Sequence, residues 1–268
     1  MIQIQVCIKV NCFRAYEWIL SKFCNKHGQR DLKEITSEEV LSFLNSITEG
    51  KKQQTKRIRF SHLTAFFNFT RNNTDEDSQN PCDNPMLNKL FRAKTTSSLD
   101  ILEKKVVDEI IFKAENSRNR LMLELMARGG MRIGEVLNLT PRDVNDRKLI
   151  LRDPKSGKEQ EFVFIPQKVA DRLKDYIREK GIHFDQRVFP ICYEAARAMV
   201  KKAGDVIEIH LRPHDLRRHA ATFTSRSGVP IEIVSKVILR HANLSTTQRY
   251  LGNVSDTEAI KRIENLYA

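Results

Sequence analysis

Six positions stand out by residue type and by order along the chain: Arg132, a lysine at Lys155 or Lys158, His214-x-x-Arg217, His241 and Tyr250. Singly, each has an ordinary reading. Arg132 follows Gly129-Gly130 and opens a helix-like stretch with Gly134 and Glu135, where a surface arginine is common. His214 and His219 are five residues apart and do not share a helix face, which argues against a common zinc ion. His241 and Tyr250 flank Asn243-Leu244-Ser245-Thr246-Thr247, which reads as a capped loop with a packed tyrosine. Taken together the six suit one reaction. A phosphodiester under attack spreads negative charge over its non-bridging oxygens. Two guanidinium forks can clamp those oxygens, doing electrostatically what metal ions do at other phosphoryl-transfer sites. A phenol can form a covalent phosphoryl intermediate, and histidine can move a proton near neutral pH. A lysine on a turn can protonate a departing alkoxide. The segments that carry the six hold no dense Asp/Glu cluster, so the expectation is a site with no metal and no cofactor.

The elements that must position these residues are mainly helical. Residues 1–92 read as a basic helical domain, 93–102 as a polar linker and 103–268 as a second domain. In the first, Thr36 and Glu39 have capping-box spacing ahead of Val40, Leu41, Phe43, Leu44 and Ile47. A second amphipathic run, Ile58 to Phe69, follows Lys51, Lys52, Lys56, Arg57 and Arg59, five basic residues in nine. Those charges oppose the dipole of a helix start; phosphate contact and a solvated face both account for them. Asn84-Pro85 reads as an N-cap with proline in the first turn of a helix 86–91. In the second domain the periodicity predicts helices over 103–114, 118–127, 133–139, 167–179, 193–202, 216–225, 231–239 and 256–266. Residues 148–152 and 161–165 read as two strands around the turn Asp153-Pro154-Lys155-Ser156-Gly157-Lys158.

Composition narrows the partners. With 40% hydrophobic and 30% charged residues the chain is neither disordered nor low in complexity. No stretch approaches the ~18–20 apolar residues of a membrane span, and the N-terminus does not read as a secretory leader. Forty-six Lys and Arg against 34 Asp and Glu give a net charge of +12. Nucleic acid is the first partner this suggests and an anionic membrane surface the second; simple solubility is the alternative that charge alone leaves open. Cys7, Cys12, Cys24, Cys82 and Cys192 form no CxxC pair and read as reduced, mostly packed thiols of a cytoplasmic protein.

The ordered set of six resembles the tyrosine recombinase family, the phage integrases and Xer-type recombinases. RPHDLRRHAATFTSRSGVPIEIVSKVILRHANLSTTQRYLGN (212–253) is similar to the family's most diagnostic block. GGMRIGEVLNLTPRDV (129–144) resembles the block around the first arginine, and DPKSGKEQEFVFIP (153–166) the hairpin that carries the lysine. The resemblance spans about residues 101–268; the first hundred residues match only in kind. It implies a mainly α, two-domain DNA clamp: a helical core-site-binding domain and a mixed α/β catalytic domain with a small antiparallel sheet. It implies Tyr250 as nucleophile, forming a 3′-phosphotyrosyl link. Arg132 and Arg217 would hold the scissile phosphate, His241 would hydrogen-bond a non-bridging oxygen, and His214 would assist proton transfer at the tyrosine. Lys155, nearer the start of the turn than Lys158, would protonate the leaving 5′ oxygen, and Glu135 would orient Arg132.

Partners follow in the same way: double-stranded DNA target sites, a homotetramer on DNA exchanging strands through a Holliday junction, a monomer allowed in free solution, and no membrane. Two departures are visible. Arg240 stands where the family commonly has glycine, and either adds a phosphate contact or crowds a turn. Leu251-Gly252-Asn253 follows the tyrosine in place of the frequent Thr-His-Val. In the predicted helix 256–266, the stripe Ile260, Ile263, Leu266 would pack on a neighbouring protomer or on its own domain. Two rivals share the chemistry or the fold: a type IB topoisomerase, and a DNA-binding protein without catalysis.

Overall fold

Aromatic residues at helical spacing draw the first helices together. In the computed structural model, α1 (Val10–His27), α2 (Ser37–Thr48) and α3 (Gln53–Thr74) bury Phe23, Phe43, Phe60 and Phe67 with Ile19, Leu44 and Leu63. Phe23 meets Phe43 edge-on, with ring centroids 5.2 Å apart. Phe60 stacks on Phe91 at 4.9 Å, which ties the end of α4 (Pro85–Leu90) to α3. The structure describes residues 10–74, 79–92, 101–152, 160–248, 251, 260, 263 and 264, with only the backbone at 10–12 and 74. Lys155, Lys158 and Tyr250 lie outside the described residues, as does most of the predicted C-terminal helix. By its contacts the chain divides into two units, Met1–Thr96 and Ser97–Ala268.

Local sequence sets several helix starts. The Thr36 hydroxyl accepts from Glu39 N at 3.3 Å, while the Glu39 carboxylate accepts from Thr36 N at 3.0 Å. Asn84 Oδ1 accepts from Met86 N at 2.8 Å, with Pro85 in the first turn. Helix α3 begins at Gln53, earlier than the predicted Ile58, so Lys56, Arg57 and Arg59 lie within the helix and not ahead of it.

In the second unit, α5 (Lys104–Lys113) packs beside α6 (Ser117–Arg128). Helix α6 is buried on every side from Leu121 to Ala127, so its one acid inside, Glu124, needs a counter-charge; Arg172 Nη2 supplies it at 2.5 Å. Helices α8 (Gln167–Glu179) and α10 (Pro213–Arg226) pack on α6. Helices α7 (Ile133–Leu137) and α9 (Tyr193–Asp205) sit against each other. The sheet is antiparallel, in the order β1 (Val144–Asn145), β2 (Lys148–Arg152), β3 (Gln160–Phe164). Its register pairs Leu149 with Val163 and Leu151 with Glu161 on the buried face. Strand β1 is too short to be legible as a period.

The predicted helix 231–239 is correct in extent but not in kind. It is one α-helical turn, α11 (Ile231–Ile233), running into a π-helical turn, Val234–Leu239. A short helix α12 (Leu244–Gln248) follows. The described cysteines are free, but Cys24 and Cys192 are exposed and only Cys82 is buried, so the expectation of mostly packed thiols does not hold for them. Cys192 is exposed because it caps α9, its Sγ accepting from Ala195 N at 3.4 Å.

Candidate active site

The site begins at the double-glycine break. Gly130 has φ +60, and a Cβ on it would sit 2.9 Å from the Ile238 carbonyl oxygen, so glycine lets the chain pass against the π turn. Arg132 then caps α7 in extended conformation. Glu135, three residues on, turns back: its Oε2 accepts from Arg132 N at 2.8 Å and its Oε1 from Arg132 Nη1 at 2.6 Å. One carboxylate thus starts the helix and aims the arginine.

Helix α10 brings the second group. Asp215 Oδ2 accepts from Arg212 N at 2.9 Å and Pro213 occupies the first turn, which fixes where the helix starts. His214 and Arg217, three apart, then share a face. Arg217 is wholly buried. Its Nη1 donates to the Gly130 carbonyl and its Nη2 to the Leu239 carbonyl, so one guanidinium ties the loop before Arg132 to the loop before His241.

The π turn brings the third group. Ser235 O accepts from both Arg240 N and His241 N, the latter at 2.9 Å. Arg240 adopts left-handed backbone, φ 51 and ψ 48, which reverses the chain and swings His241 back toward α10. His241 Nδ1 lies 3.0 Å from Thr247 Oγ1, itself 2.8 Å from Ser235 Oγ; Thr247 and Ser235 are both buried. A buried hydroxyl pair therefore fixes the orientation of the ring.

The electrostatics show that these groups share one place. Partial burial pushes His241 down to about 4, and the charges of Arg217, Arg132 and Arg240 add to the effect. His214 is held below its ordinary value by desolvation, then by Arg217, Arg132 and Arg218, with Asp215 opposing. Both imidazoles are therefore neutral near pH 7. Burial alone would raise Glu135, but Arg240 and the bonds from Arg132 outweigh it and keep the carboxyl below its ordinary value.

The structure thus brings Arg132, Glu135, His214, Arg217 and His241 together from separate segments. It places Arg240 differently from a direct phosphate contact. Its side chain is 3% exposed, and its Nη2 donates to Glu135 Oε2 at 2.6 Å. A second carboxylate faces it from inside β3: Glu161 Oε2 lies 3.6 Å from Arg240 Nε. Glu161 is the functional neighbour that sequence reasoning missed. The signal was there: Glu161 is in phase with Val163 and Ile165, so alternation points it inward and a buried acid needs a cation. His219, the other histidine of α10, is turned to Leu102 O at 2.8 Å, away from this cluster's hydrogen bonds.

In the N-terminal unit, Lys51, Lys52 and Arg57 are exposed and Lys56 is half-buried. Arg59 lies over the Trp18 ring, 4.1 Å from its centroid, and donates to Ala15 O. Among the described residues none of the five pairs with a carboxylate.

Residues 100–256, more than half of the chain, match the model of the phage integrase family. The chain belongs to that family. It is a tyrosine recombinase by its relatives as well. It is 30% identical over 273 residues to a tyrosine recombinase of Thermosipho africanus, covering 96% of this chain and 93% of that one. It is 29% identical over 255 residues to the tyrosine recombinase XerA of Pyrococcus horikoshii, covering 90% and 82%. The fold matches the Tn1549 transposon integrase in complex with transposon right end DNA, with TM-score 0.75 and 16% identity over 98% of this chain and 95% of that one. It also matches a lambda integrase dimer bound to a core site, with TM-score 0.71 and 17% identity over 94% and 92%. No helix among the described residues of this tyrosine recombinase is long and apolar enough to cross a membrane.

Proposed function

We propose that the chain is a site-specific DNA recombinase that cuts and rejoins strands through a covalent 3′-phosphotyrosyl intermediate at Tyr250. One observation carries this reading: Arg132 aimed by Glu135, Arg217 bonded to the Gly130 and Leu239 carbonyls, His214 three residues before it on α10, and His241 held by Thr247 converge from three segments of the sequence. That convergence suits a phosphate bearing extra negative charge in the transition state. Arg132, partly exposed and aimed by Glu135, is the direct contact to a non-bridging oxygen. Arg217 lies one layer deeper and adds its charge to the same place. His241 is neutral, and in the tautomer that carries its proton on Nε2 it donates to a second non-bridging oxygen. His214, neutral and exposed, takes the proton of the attacking phenol.

In the step itself, the Tyr250 oxygen bonds to phosphorus and the bond to the 5′ oxygen breaks, with Lys155 giving that oxygen its proton. Attack by a partner strand's 5′-hydroxyl reverses the step and releases the tyrosine. One phosphodiester-type bond replaces another each time, so neither ATP nor a metal ion is required. Four chains on two DNA sites, exchanging strands through a Holliday junction, complete the reading and place the protein in the cytoplasm.

The test is covalent capture. A pool of nicked random-sequence duplexes is incubated with the chain and EDTA, and DNA that stays bound through denaturation is amplified. The nicked fragment diffuses away and traps the intermediate. The expected result is an adduct that Tyr250→Phe abolishes. Adducts persisting in Tyr250→Phe would overturn the assignment of the nucleophile. Relaxation of plasmids lacking the captured sequence, with no recombination between two copies of it, would favour the topoisomerase reading.

A further inference from the structure

Arg240 occupies a backbone conformation suited to glycine, and its side chain is spent inside the protein. Its guanidinium bridges three segments. Nη2 donates to Glu135 Oε2 at 2.6 Å on α7, and lies 3.4 Å from Gly130 O in the loop before Arg132. Nη1 donates to Ile238 O at 3.0 Å in the π turn. Nε faces Glu161 Oε2 at 3.6 Å on β3. Glu135 and Glu161 are 12% and 5% exposed at the side chain, so neither is compensated by water.

We infer that Arg240 is a positioning residue for the strand-cutting reaction: it shares Glu135 with Arg132, neutralises Glu161 on β3, and so fixes the aim of Arg132. The inference rests on the reading that Arg132 grips the scissile phosphate. Its logic is a charge balance. Arg132 and Arg240 both pair with Glu135, and Arg240 also faces Glu161, while the nearby Arg217 is bonded to the Gly130 and Leu239 carbonyls. Without Arg240, Glu161 would lose the guanidinium it faces and Glu135 one of its two. Glu135 would then draw Arg132 onto itself, and the surplus negative charge would oppose an incoming phosphate. Glycine at position 240 would leave the left-handed turn intact, since glycine adopts positive φ without a Cβ penalty. Any loss in Arg240→Gly is therefore the guanidinium's and not the backbone's.

The experiment compares wild type, Arg240→Gly, Arg240→Lys and Arg240→Gly with Glu161→Gln, on a nicked duplex captured by the wild-type chain. Arg240→Gly is expected to slow covalent capture about 10- to 100-fold, the range for residues that orient a catalytic group, while DNA binding changes little. Arg240→Lys, which keeps the charge but loses the fork, should fall between. Adding Glu161→Gln to Arg240→Gly should recover part of the rate by removing the surplus charge. In an Arg132→Ala background, Arg240→Gly should cost almost nothing more, because it acts through the missing group. A merely structural arginine would instead lower both backgrounds equally.

A second reading does not depend on activity. Restricted rotation of the Arg132 guanidinium, followed by NMR of its N–H protons, should be present in the wild type and lost in Arg240→Gly. Wild-type capture rate or unchanged Arg132 restriction in folded Arg240→Gly would overturn the inference. If Arg240→Gly does not fold, Arg240→Lys carries the same two measurements, with a smaller loss expected and equality with wild type as the overturning result. A wild-type chain that forms no Tyr250-dependent adduct would sink the recombinase reading alone, leaving the Arg132 measurement to decide this one.

Discussion

The N-terminal unit buries phenylalanine, and the C-terminal unit buries charge. Around Phe23, Phe43, Phe60 and Phe67 the buried polar residues are His27, Thr48 and Asn80, none a permanent ion. The interior of the other unit is aliphatic, but Glu124, Asp143, Glu161, Arg217 and Arg240 are buried within it. Apolar packing is non-directional and tolerates change as long as volume is kept. A buried ion must be paired in a fixed geometry or not be there at all. The difference separates two jobs. The first unit needs only to hold a surface in place, whereas the second must hold guanidinium groups at defined points in a medium that does not screen them.

Substitutions should therefore register as stability in one unit and as chemistry in the other. The largest effect expected is at Arg132. Arg132→Ala should lower covalent capture about 100- to 1,000-fold, the usual loss on removing one transition-state donor. Urea unfolding should show the same variant within about 1 kcal/mol of wild type, because the side chain is partly exposed. A parallel loss of stability would erase the contrast. Next comes Phe43→Ala, which should cost about 3–5 kcal/mol in the same unfolding measurement. Its folded molecules should cut at the wild-type rate at low temperature; a slow folded variant would show that the N-terminal core reaches the chemistry.

A smaller effect is expected with pH. His241 is held at about 4 in the folded chain, against an ordinary 6.5. Between those values the unfolded chain binds a proton that the folded one refuses, so stability is full above about pH 6.5 and falls as pH drops toward 4. His241→Gln should flatten part of that decline in urea midpoints taken across the window. An unchanged slope would mean the ring is not desolvated as described. The smallest effects belong to the N-terminal surface. Lys51→Ala, Lys52→Ala and Arg57→Ala should each reduce the salt dependence of DNA binding by about one unit of slope, leaving the cutting rate of bound complexes alone. No change in slope would assign these lysines and the arginine to a solvated face.

What the sequence made legible was what neighbours in sequence decide. The capping box at Thr36 and Glu39, the Asn84-Pro85 start and the limits of α8 are set by a few adjacent residues, and all were readable. The pairing of Glu135 with Arg132 spans three residues and was expected. Two features were not readable. The π turn at Val234–Leu239 has ordinary helical periodicity, and nothing local distinguishes it from an α-helix; packing against β3 and α10 accompanies the extra residue per turn. The inward course of Arg240 goes with Glu135 and Glu161, 105 and 79 positions earlier, so charge on the surface was the natural expectation for an arginine beside His241. The strand phase of Glu161 was visible, but its partner was not.

The two stitches made by Arg217 span 87 and 22 residues of sequence. Contacts of that separation form only after long loops have closed, so they belong to the late, cooperative part of folding. A chain still being synthesised, or one clipped before its last segments, would carry Arg132 and His214 but no carbonyl from Leu239 and no His241. Its arginines would point nowhere in particular. Such a fragment would keep its net positive charge but not the assembled site. By distributing one site across the whole unit, the fold ties the proposed strand cutting to the completion of that unit.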